Sequence, residues 1–392
     1  MENQELIKQV TEKAEKWLTP AYDAETQAEV KRMLENPDKT ELIDSFYKDL
    51  EFGTGGLRGI MGAGTNRMNI YTVGAATQGL SNYLNKCFAG KKDISVVVGH
   101  DCRNNSDKFA KISADIFSAN GIKVYLFDDL RPTPEVSFAI RHFGCQSGIN
   151  ITASHNPAKY NGYKVYGADG CQITLEVADK ILAAIEKVDC FGGVKLVDYE
   201  AGVQAGRIVS IDDKCLDDFV QAVYDQRVGD GTGIEQLKLV YTPLNGTGLK
   251  PVTRTLKEMG YTNITVVKEQ EQPDGNFPTC PYPNPEIKEA MALGMEYAKK
   301  CNADLLLATD PDCDRVGIAV KNKAGKYELL TGNQTGMLLL DYICCQRVKH
   351  GKMPADPVMV KTIVTMDMGE QIATHYGLRT INVLTGFKFI GE

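Results

Sequence analysis

Short apolar segments alternate with amphipathic helical segments along most of this chain, and this alternation restricts its possible folds more than any other feature. Strand signals at residues 94–98, 123–127 and 148–152 alternate with helical stretches at 73–86 and 108–120. Such alternation is typical of α/β proteins, in which helices cover the faces of a sheet. Because the pattern recurs further along the chain, we predict consecutive, similar α/β domains with mixed sheets covered by helices.

The predicted organisation has four parts. At roughly 150 residues per domain, a chain of 392 residues has room for two or three domains. A glycine-rich and charged stretch at 192–206 marks the first boundary. The predicted parts are a helical N-terminal leader (1–50), domain I (51–205), domain II (206–325) and a partial, incomplete domain III (326–392).

Composition excludes several classes of partner. The net charge of -7 leaves no basic surface for nucleic acid, and no apolar run reaches the length of a membrane span. The eleven cysteines include no Cys-x-x-Cys pair, which favours reduced thiols and a cytoplasmic location. Cys301 and Cys344 are expected to be buried. The sequence does not determine the oligomeric state.

An acidic loop follows the apolar strand signal at 303–309. It places Asp310, Asp312 and Asp314 at alternate positions. Carboxylate oxygens are preferred ligands of Mg²⁺, and α/β proteins bind ligands at the carboxyl ends of their strands. The sequence therefore predicts a magnesium site here.

The acidic loop admits three other interpretations. A calcium EF-hand loop counted from Asp310 needs Gly at position six and Glu at position twelve, where this chain has Arg315 and Lys321. A strand followed by Asp-x-Asp also resembles the haloacid dehalogenase phosphatases, with Asp310 as nucleophile. A solvated turn is the third reading, although its like charges would need compensation, which Arg315 could partly supply.

A candidate nucleophile, Ser154, lies in the segment 152–157, Thr-Ala-Ser-His-Asn-Pro, just after a strand signal. Ser-His-Asn-Pro is also typical of an ordinary turn. A serine hydroxyl acts as a nucleophile only with a base and with cations that hold the phosphoryl oxygens. His155 and Lys164 are the nearby candidates for those roles.

The third candidate element is the glycine-rich segment 53–59, which contains Arg58. Glycines let backbone N–H groups approach an anion, and an arginine adds a bidentate fork for phosphate. The preceding residues 45–51 are predicted to be helical, so the segment does not match the strand-preceded dinucleotide fingerprint.

Taken in order, these segments resemble the α-D-phosphohexomutase superfamily. The resemblance rests on Gly-Gly-Leu-Arg-Gly (55–59), Thr-Ala-Ser-His-Asn-Pro (152–157), Asn-Gly-Tyr-Lys (161–164) and Asp-Pro-Asp-Cys-Asp-Arg (310–315). Residues 51–59 and the helical leader resemble the phosphoglucomutase and phosphopentomutase branch.

The resemblance implies a role for each matching residue. Ser154 would carry the phosphate and, through it, join Asp310, Asp312 and Asp314 in binding Mg²⁺. The remaining implied residues are Arg58 and Lys164 for proton transfer and charge stabilisation, Arg315 near the phosphoserine or substrate, and Thr385, Gly386 and Lys388 for sugar recognition. Segment 100–103 matches a family segment that supports the site, although an ordinary ion pair would explain its Asp and Arg equally well.

The implied activity is the interconversion of sugar 1-phosphates and 6-phosphates through a bisphosphate, with glucose phosphates first and glucose 1,6-bisphosphate as activator. Phosphopentomutase, phosphomannomutase, a phosphatase using Asp310 and a non-catalytic sugar-phosphate-binding protein stay open. The resemblance also implies that the chain ends before the sugar-selecting loop and the fourth domain. We therefore expect weak mutase activity, and the sequence leaves the preferred sugar undecided.

Overall fold

The computed structural model describes residues 2–53, 55–189 and 192–392. They form two compact units. The first contains the residues up to Leu130 and Ala139–Ile211, and the second contains Arg131–Phe138 and Asp212–Glu392.

The first unit begins with three helices that share a small core. They are α1 (Glu2–Glu15), α2 (Ala24–Glu35) and α3 (Thr40–Phe46). Asp23 caps α2 by accepting a hydrogen bond of 2.9 Å from the N–H of Thr26. Trp17 stacks on Tyr22 with ring centroids 4.4 Å apart. Buried aromatic contacts of this kind stabilise an otherwise short helical segment.

The rest of the first unit is a seven-stranded mixed sheet in the order β1-β2-β6-β5-β3-β4-β7. Its strands are β1 (Phe52–Gly53), β2 (Gly56–Ile60), β3 (Ser95–His100), β4 (Lys123–Phe127), β5 (Ser147–Ile151), β6 (Tyr160–Gly167) and β7 (Ile208–Ile211). The parallel neighbours of β3 are β4 and β5, whereas β6 runs antiparallel to both β5 and β2.

Helices follow the strands of this sheet. They are α4 (Ile70–Cys87), α5 (Ser106–Ala119), α7 (Leu175–Ile185) and α8 (Tyr199–Gln204), together with the last residues of α6 (Thr133–His142), whose residues up to Phe138 belong to the second unit. The central strand β3 is buried almost throughout, as in Val96 and Val98. Strands covered on both faces read as continuous apolar runs, which is why β3, β4 and β5 were predictable.

The second unit contains a five-stranded sheet in the order β12-β11-β10-β8-β9. Its strands are β8 (Lys238–Thr242), β9 (Asn263–Val266), β10 (Leu305–Thr309), β11 (Val316–Lys321) and β12 (Tyr327–Leu330). The associated helices are α9 (Asp213–Tyr224), α10 (Leu249–Glu258), α11 (Lys268–Glu271) and α12 (Lys288–Cys301). Helix α12 packs on β8 and β10, and Val240, Met291 and Leu306 lie in the core between them.

The last part of the second unit has a parallel pair of strands, β13 (Val358–Thr362) and β14 (Arg379–Val383). Its helices are α13 (Gly332–Lys349), α14 (Met368–His375) and α15 (Phe387–Gly391). Helix α13 begins with a capping box in which Thr331 and Gln334 bond each other's backbone N–H groups.

The predicted fold class is confirmed, because mixed sheets covered by helices recur along the chain. Two local predictions are wrong. The predicted helix at 45–51 ends at Phe46, because Leu42 and Phe46 are buried in the helical core and the chain then leaves it to enter β1. Cys301 is exposed at the end of α12, whereas Cys344 is buried.

Cysteines and helices give two further observations. None of the ten described cysteines forms a disulfide bond. Within the described ranges, no helix has the length and apolar character needed to cross a membrane.

Candidate functional site

The candidate serine lies in a constrained turn after β5 in the first unit. Ser154 is 4% exposed and has a φ of 52°, a conformation that non-glycine residues rarely adopt. Its N–H donates to Thr152 Oγ1 at 2.9 Å, and its Oγ lies 3.1 Å from His155 Nδ1. The turn therefore pairs the hydroxyl with an imidazole nitrogen, as a serine that accepts or releases a proton requires.

The guanidinium group of Arg103 stabilises this turn through hydrogen bonds to its carbonyl oxygens. Its Nη2 donates to the carbonyl oxygens of Ser154 and Asn156 at 2.6 and 2.5 Å. Its Nη1 donates to those of Pro157 and Tyr160, both at 3.0 Å. A planar guanidinium has donors on fixed directions, so one side chain determines the path of the whole loop.

Asp101 completes the support of the serine loop. Its carboxylate lies 3.4 Å from Arg103 Nε, and both side chains are fully buried. The same carboxylate accepts the Arg103 N–H and the Ser106 hydroxyl, each at 2.9 Å. Within segment 100–103, Asp101 and Arg103 thus form an ion pair, and this pair also supports the serine loop.

The two predicted basic residues lie on neighbouring strands. Arg58 on β2 is opposite Gly162 on β6, and Lys164 on β6 is opposite Gly56. Arg58 is exposed, and its Nη1 donates to Asn156 Oδ1 in the serine loop at 3.3 Å. Lys164 is half-buried. The structure therefore places a guanidinium beside the serine turn.

The glycine-rich segment contributes to the antiparallel pairing of β1 with β2, in which Gly53 is opposite Gly56. A Cβ at Gly56, whose φ is 146°, would lie 1.8 Å from the carbonyl oxygen of Tyr163. Only glycine fits that approach. Thr54, in the same segment, lies outside the described residues.

The three predicted metal ligands converge in the second unit, in the loop after β10. One carboxylate oxygen from each of Asp310, Asp312 and Asp314 lies within 4.8 Å of the others. Asp310 and Asp312 are fully buried and Asp314 is exposed. Asp310 Oδ1 accepts the backbone N–H groups of Asp314 and Arg315 at 3.0 and 2.9 Å, and these bonds fix the curvature of the loop.

The donor set fits a hard divalent cation. Three carboxylate oxygens suit Mg²⁺, whereas zinc prefers nitrogen and sulfur ligands. Cys313 lies among the aspartates, but burial raises the pKa of its thiol to about 12, and the three negative charges act in the same direction.

A turn after β8 supports the acidic loop. The N–H of Thr247 donates to the carbonyl oxygen of Pro311 at 2.8 Å. A Cβ at Gly246 would lie 2.4 Å from Pro311 Cα. The glycine therefore lets the two loops approach more closely than any other residue would allow.

The predicted substrate residues occupy two places in the second unit. Arg315 follows the aspartates, and its Nη1 donates to Glu286 Oε1 at 3.1 Å. Thr385 and Gly386 lie between β14 and α15, and Lys388 is the second residue of α15. Lys388 is buried, and that burial lowers the pKa of its ammonium group. A lysine with a lowered pKa is a candidate ligand-binding group.

Two residues that shape these loops, Thr133 and Thr152, carry no sequence signal of a role in the site. Thr152 and Arg103 hold the serine turn, as described above. Thr133 Oγ1 donates to Asp312 Oδ2 at 2.8 Å. A threonine between two prolines, at 132 and 134, gives no local signal of this contact, because its partner lies 179 residues away.

Models of one protein family match the chain in three consecutive segments. Phosphoglucomutase/phosphomannomutase alpha/beta/alpha domain I matches residues 49–190, domain II matches 217–325 and domain III matches 331–392. The matches contain both the serine turn and the acidic loop.

Curated relatives and a solved structure agree with those models. A phosphoglucomutase of Staphylococcus saprophyticus is 36% identical over 93% of this chain, and one of Staphylococcus aureus is 35% identical over 96%. The chain spans 64% and 66% of the length of these relatives. A phosphoglucomutase/phosphomannomutase family protein from Burkholderia thailandensis superposes with a TM-score of 0.65 at 22% identity, covering 86% of this chain and 67% of that one, which supports the fold.

Proposed function

Because this chain belongs to the phosphoglucomutase/phosphomannomutase family, we propose that it forms the phosphoserine and metal-binding parts of a sugar phosphomutase. The reaction is the interconversion of sugar 1-phosphates and 6-phosphates. Glucose phosphates are the first candidate substrates, since the relatives at 35% and 36% identity are phosphoglucomutases. Pentose and mannose phosphates are the alternatives.

One observation carries the proposal. Three aspartate carboxylates lie within 4.8 Å of one another at the carboxyl end of β10. Carboxylates held this close repel one another when they are ionised, and a bound cation compensates this repulsion. In a phosphoryl-transfer enzyme, such a cation would stabilise the charge that develops on the transferred phosphoryl group.

The proposed chemistry has two transfers. The bond between Ser154 Oγ and phosphorus breaks as a sugar hydroxyl forms a new bond to the same phosphorus, giving a sugar bisphosphate. The proton of the sugar hydroxyl passes, by way of a nearby basic group, to the Ser154 oxygen that the phosphoryl group leaves. The second transfer returns the other phosphoryl group to Ser154, and the serine proton passes back to the sugar oxygen that is released.

Basic residues would support both transfers. His155 Nδ1, at 3.1 Å from Ser154 Oγ, is placed to hold a proton at the serine oxygen. Arg58, Lys164 and Arg315 are proposed to disperse charge on the phosphoryl oxygens, and Thr385, Gly386 and Lys388 to bind the sugar phosphate.

The metal would be held by Asp310, Asp312 and Asp314, with the phosphate of Ser154 as a further ligand. Bound Mg²⁺ would supply electrostatic stabilisation of the phosphoryl group. We also propose glucose 1,6-bisphosphate as the activator that loads Ser154, and a cytoplasmic location.

The test is the loading of Ser154. The purified chain is incubated with glucose 1,6-bisphosphate and Mg²⁺, then examined by intact mass and peptide mapping. One phosphate on the Ser154 peptide is expected. Ser154→Ala should stay unphosphorylated, whereas Ser210→Ala, which changes an exposed serine on β7, should load normally.

Two other results would overturn the proposal. Release of inorganic phosphate by Ser154→Ala at the wild-type rate, lost in Asp310→Asn, would indicate a phosphatase. Binding of glucose 1,6-bisphosphate with no phosphate on Ser154 would indicate a binding protein.

A further inference from the structure

Thr133 bonds the metal-loop residue Asp312 at two points. Its hydroxyl Oγ1 donates to Asp312 Oδ2 at 2.8 Å, and its backbone N–H donates to the Asp312 carbonyl oxygen, also at 2.8 Å. Both residues belong to the second compact unit. The two bonds fix the backbone of the loop and the rotation of its carboxylate together.

Thr133 is itself held firmly, because it begins helix α6 next to a buried ion pair. Arg131 Nε lies 3.4 Å from Glu135 Oε1, and these side chains are 3% and 0% exposed. Arg131 Nη2 also donates to Asp213 Oδ1 at 3.0 Å. Charge pairs within a buried turn restrict its motion, so the hydroxyl is presented to Asp312 from a rigid support.

Thr133 presents two donors to Asp312 from the first turn of α6. Asp312 accepts the Thr133 N–H through its backbone carbonyl oxygen and the Thr133 hydroxyl through its carboxylate. Asp312 is fully buried, and buried polar groups need hydrogen-bond partners within the protein.

We propose that Thr133 is a positioning residue for the metal site, and that its hydroxyl orients the Asp312 carboxylate for binding a divalent cation. The inference rests on the proposed metal-binding role of the aspartates. Hydrogen-bond partners of metal-ligating carboxylates commonly determine ligand orientation, and their loss weakens metal binding.

A purely structural role for Thr133 makes different predictions. If Thr133 only joins α6 to the loop, its backbone N–H bond suffices and the hydroxyl is dispensable for the metal. Thr133→Val keeps the shape and the N–H but removes the hydroxyl, whereas Thr133→Ser keeps the hydroxyl. The pair separates the two roles.

The experiment measures Mg²⁺ affinity by isothermal titration calorimetry and Mn²⁺ affinity by electron paramagnetic resonance. Thr133→Val is expected to weaken binding about 10- to 100-fold, and Thr133→Ser is expected to stay close to wild type. Thr253→Val is the matched control, because the Thr253 hydroxyl donates to the Leu249 and Lys250 carbonyl oxygens within its own helix, α10. Unchanged Mg²⁺ affinity in Thr133→Val would overturn the inference.

The outcomes also distinguish this inference from the proposed function. If the wild-type chain binds no divalent cation, the proposed metal site and this inference both fail. If the wild type binds and Thr133→Val binds equally well, only the inference fails. Thr133→Ala makes the same comparison should the valine variant not fold. In an Asp312→Asn background, Thr133→Val should have no further effect on Mg²⁺ affinity.

Discussion

Arg103 and Ser154 are joined by a hydrogen bond of 2.6 Å from the guanidinium Nη2 to the serine carbonyl oxygen. The bond runs from the end of β3 to the turn after β5, and the same guanidinium reaches three more carbonyl oxygens of that turn. The positive φ of Ser154 is therefore stabilised from outside the turn. The position of Ser154 therefore depends on Arg103, which has no assigned role in the chemistry.

Arg103→Met is expected to destabilise the first unit. The variant leaves Asp101, which is fully buried, without its guanidinium partner, and losing one member of a buried pair costs about 3–5 kcal/mol. Urea denaturation followed by the fluorescence of Trp17, the one tryptophan of the chain, measures the loss.

A matched control for Arg103 is Arg207→Met. Arg207 is exposed, and its Nη1 bonds one carbonyl, that of Gly121, at 2.9 Å. Its replacement should change the free energy of unfolding by no more than about 0.5 kcal/mol. Equal effects of the two variants would contradict the role assigned to Arg103.

Gly246→Ala is expected to disturb the acidic loop from the neighbouring turn. The new Cβ would meet Pro311 Cα at 2.4 Å and the Pro311 carbonyl oxygen at 2.6 Å. Overpacking against backbone commonly costs about 1–3 kcal/mol. Calorimetric unfolding should show the loss of stability, and Mg²⁺ titration should show weaker binding.

Gly332→Ala is the control for Gly246, because a Cβ at Gly332, the first residue of α13, meets nothing within 4 Å. It should leave both the unfolding temperature and the Mg²⁺ affinity near wild type. A Gly246→Ala protein that matched this control would show that the turn does not constrain Pro311.

Asp115 on α5 is expected to make the stability of the first unit depend on pH. Burial raises the pKa of its carboxyl to about 6. The positive charge of Lys111 opposes this rise in pKa, and the negative charge of Asp198 adds to it. The folded state therefore holds this proton more tightly than the unfolded state. The stabilisation is fully present below the unfolded pKa, near 3.8, and is lost as the pH rises through about 6.

The measurement compares wild type with Asp115→Asn by urea denaturation between about pH 4 and about pH 8, about two units either side of the transition near pH 6. The wild type should lose stability relative to the asparagine variant as the pH rises. Asp179→Asn, at an exposed aspartate on α7, is the surface control for the loss of one carboxylate. A pH-independent difference for Asp115→Asn would contradict the assignment.

Local sequence signals predicted the fold class and the two candidate loops because the relevant information lies within short segments. The buried strands β3, β5 and β10 are apolar runs, and the acidic loop and the serine turn each follow one of them. Strand ends in an α/β fold are where ligand groups collect. Residue type and strand position together were sufficient to predict the Asp310, Asp312 and Asp314 cluster.

The supporting contacts could not be predicted in the same way, because they join residues distant in sequence. Arg103 meets Ser154 across 51 residues, and Thr133 meets Asp312 across 179. An Asp and an Arg at a strand end are equally consistent with an ordinary ion pair. Residues 47–51 were predicted to be helical from their local sequence, but this prediction is wrong. The chain leaves α3 at Phe46 and enters β1 at Phe52, so tertiary structure overrides helical propensity there.

Phosphorylation of Ser154 is expected to tighten Mg²⁺ binding if its phosphate shares the cation with the three aspartates. A phosphoserine adds roughly two negative charges and three acceptor oxygens, and Mg²⁺ prefers such oxygens alongside carboxylates. Mg²⁺ should also raise the unfolding temperature, because a ligand at 100 times its Kd stabilises the folded state by about 2.7 kcal/mol.

Calorimetric titration of phosphorylated and unphosphorylated chain with Mg²⁺ measures the change in Kd directly. Asp314→Asn serves as the second arm, since Asp314 is exposed and its replacement should spare the fold while reducing the Mg²⁺-dependent rise in unfolding temperature. If Asp314→Asn abolishes that rise while phosphorylation leaves the Kd unchanged, the aspartates bind the cation alone. That result would remove Ser154 from the ligand set and leave the acidic loop as an independent metal site, because the two measurements report on different donors to the same ion.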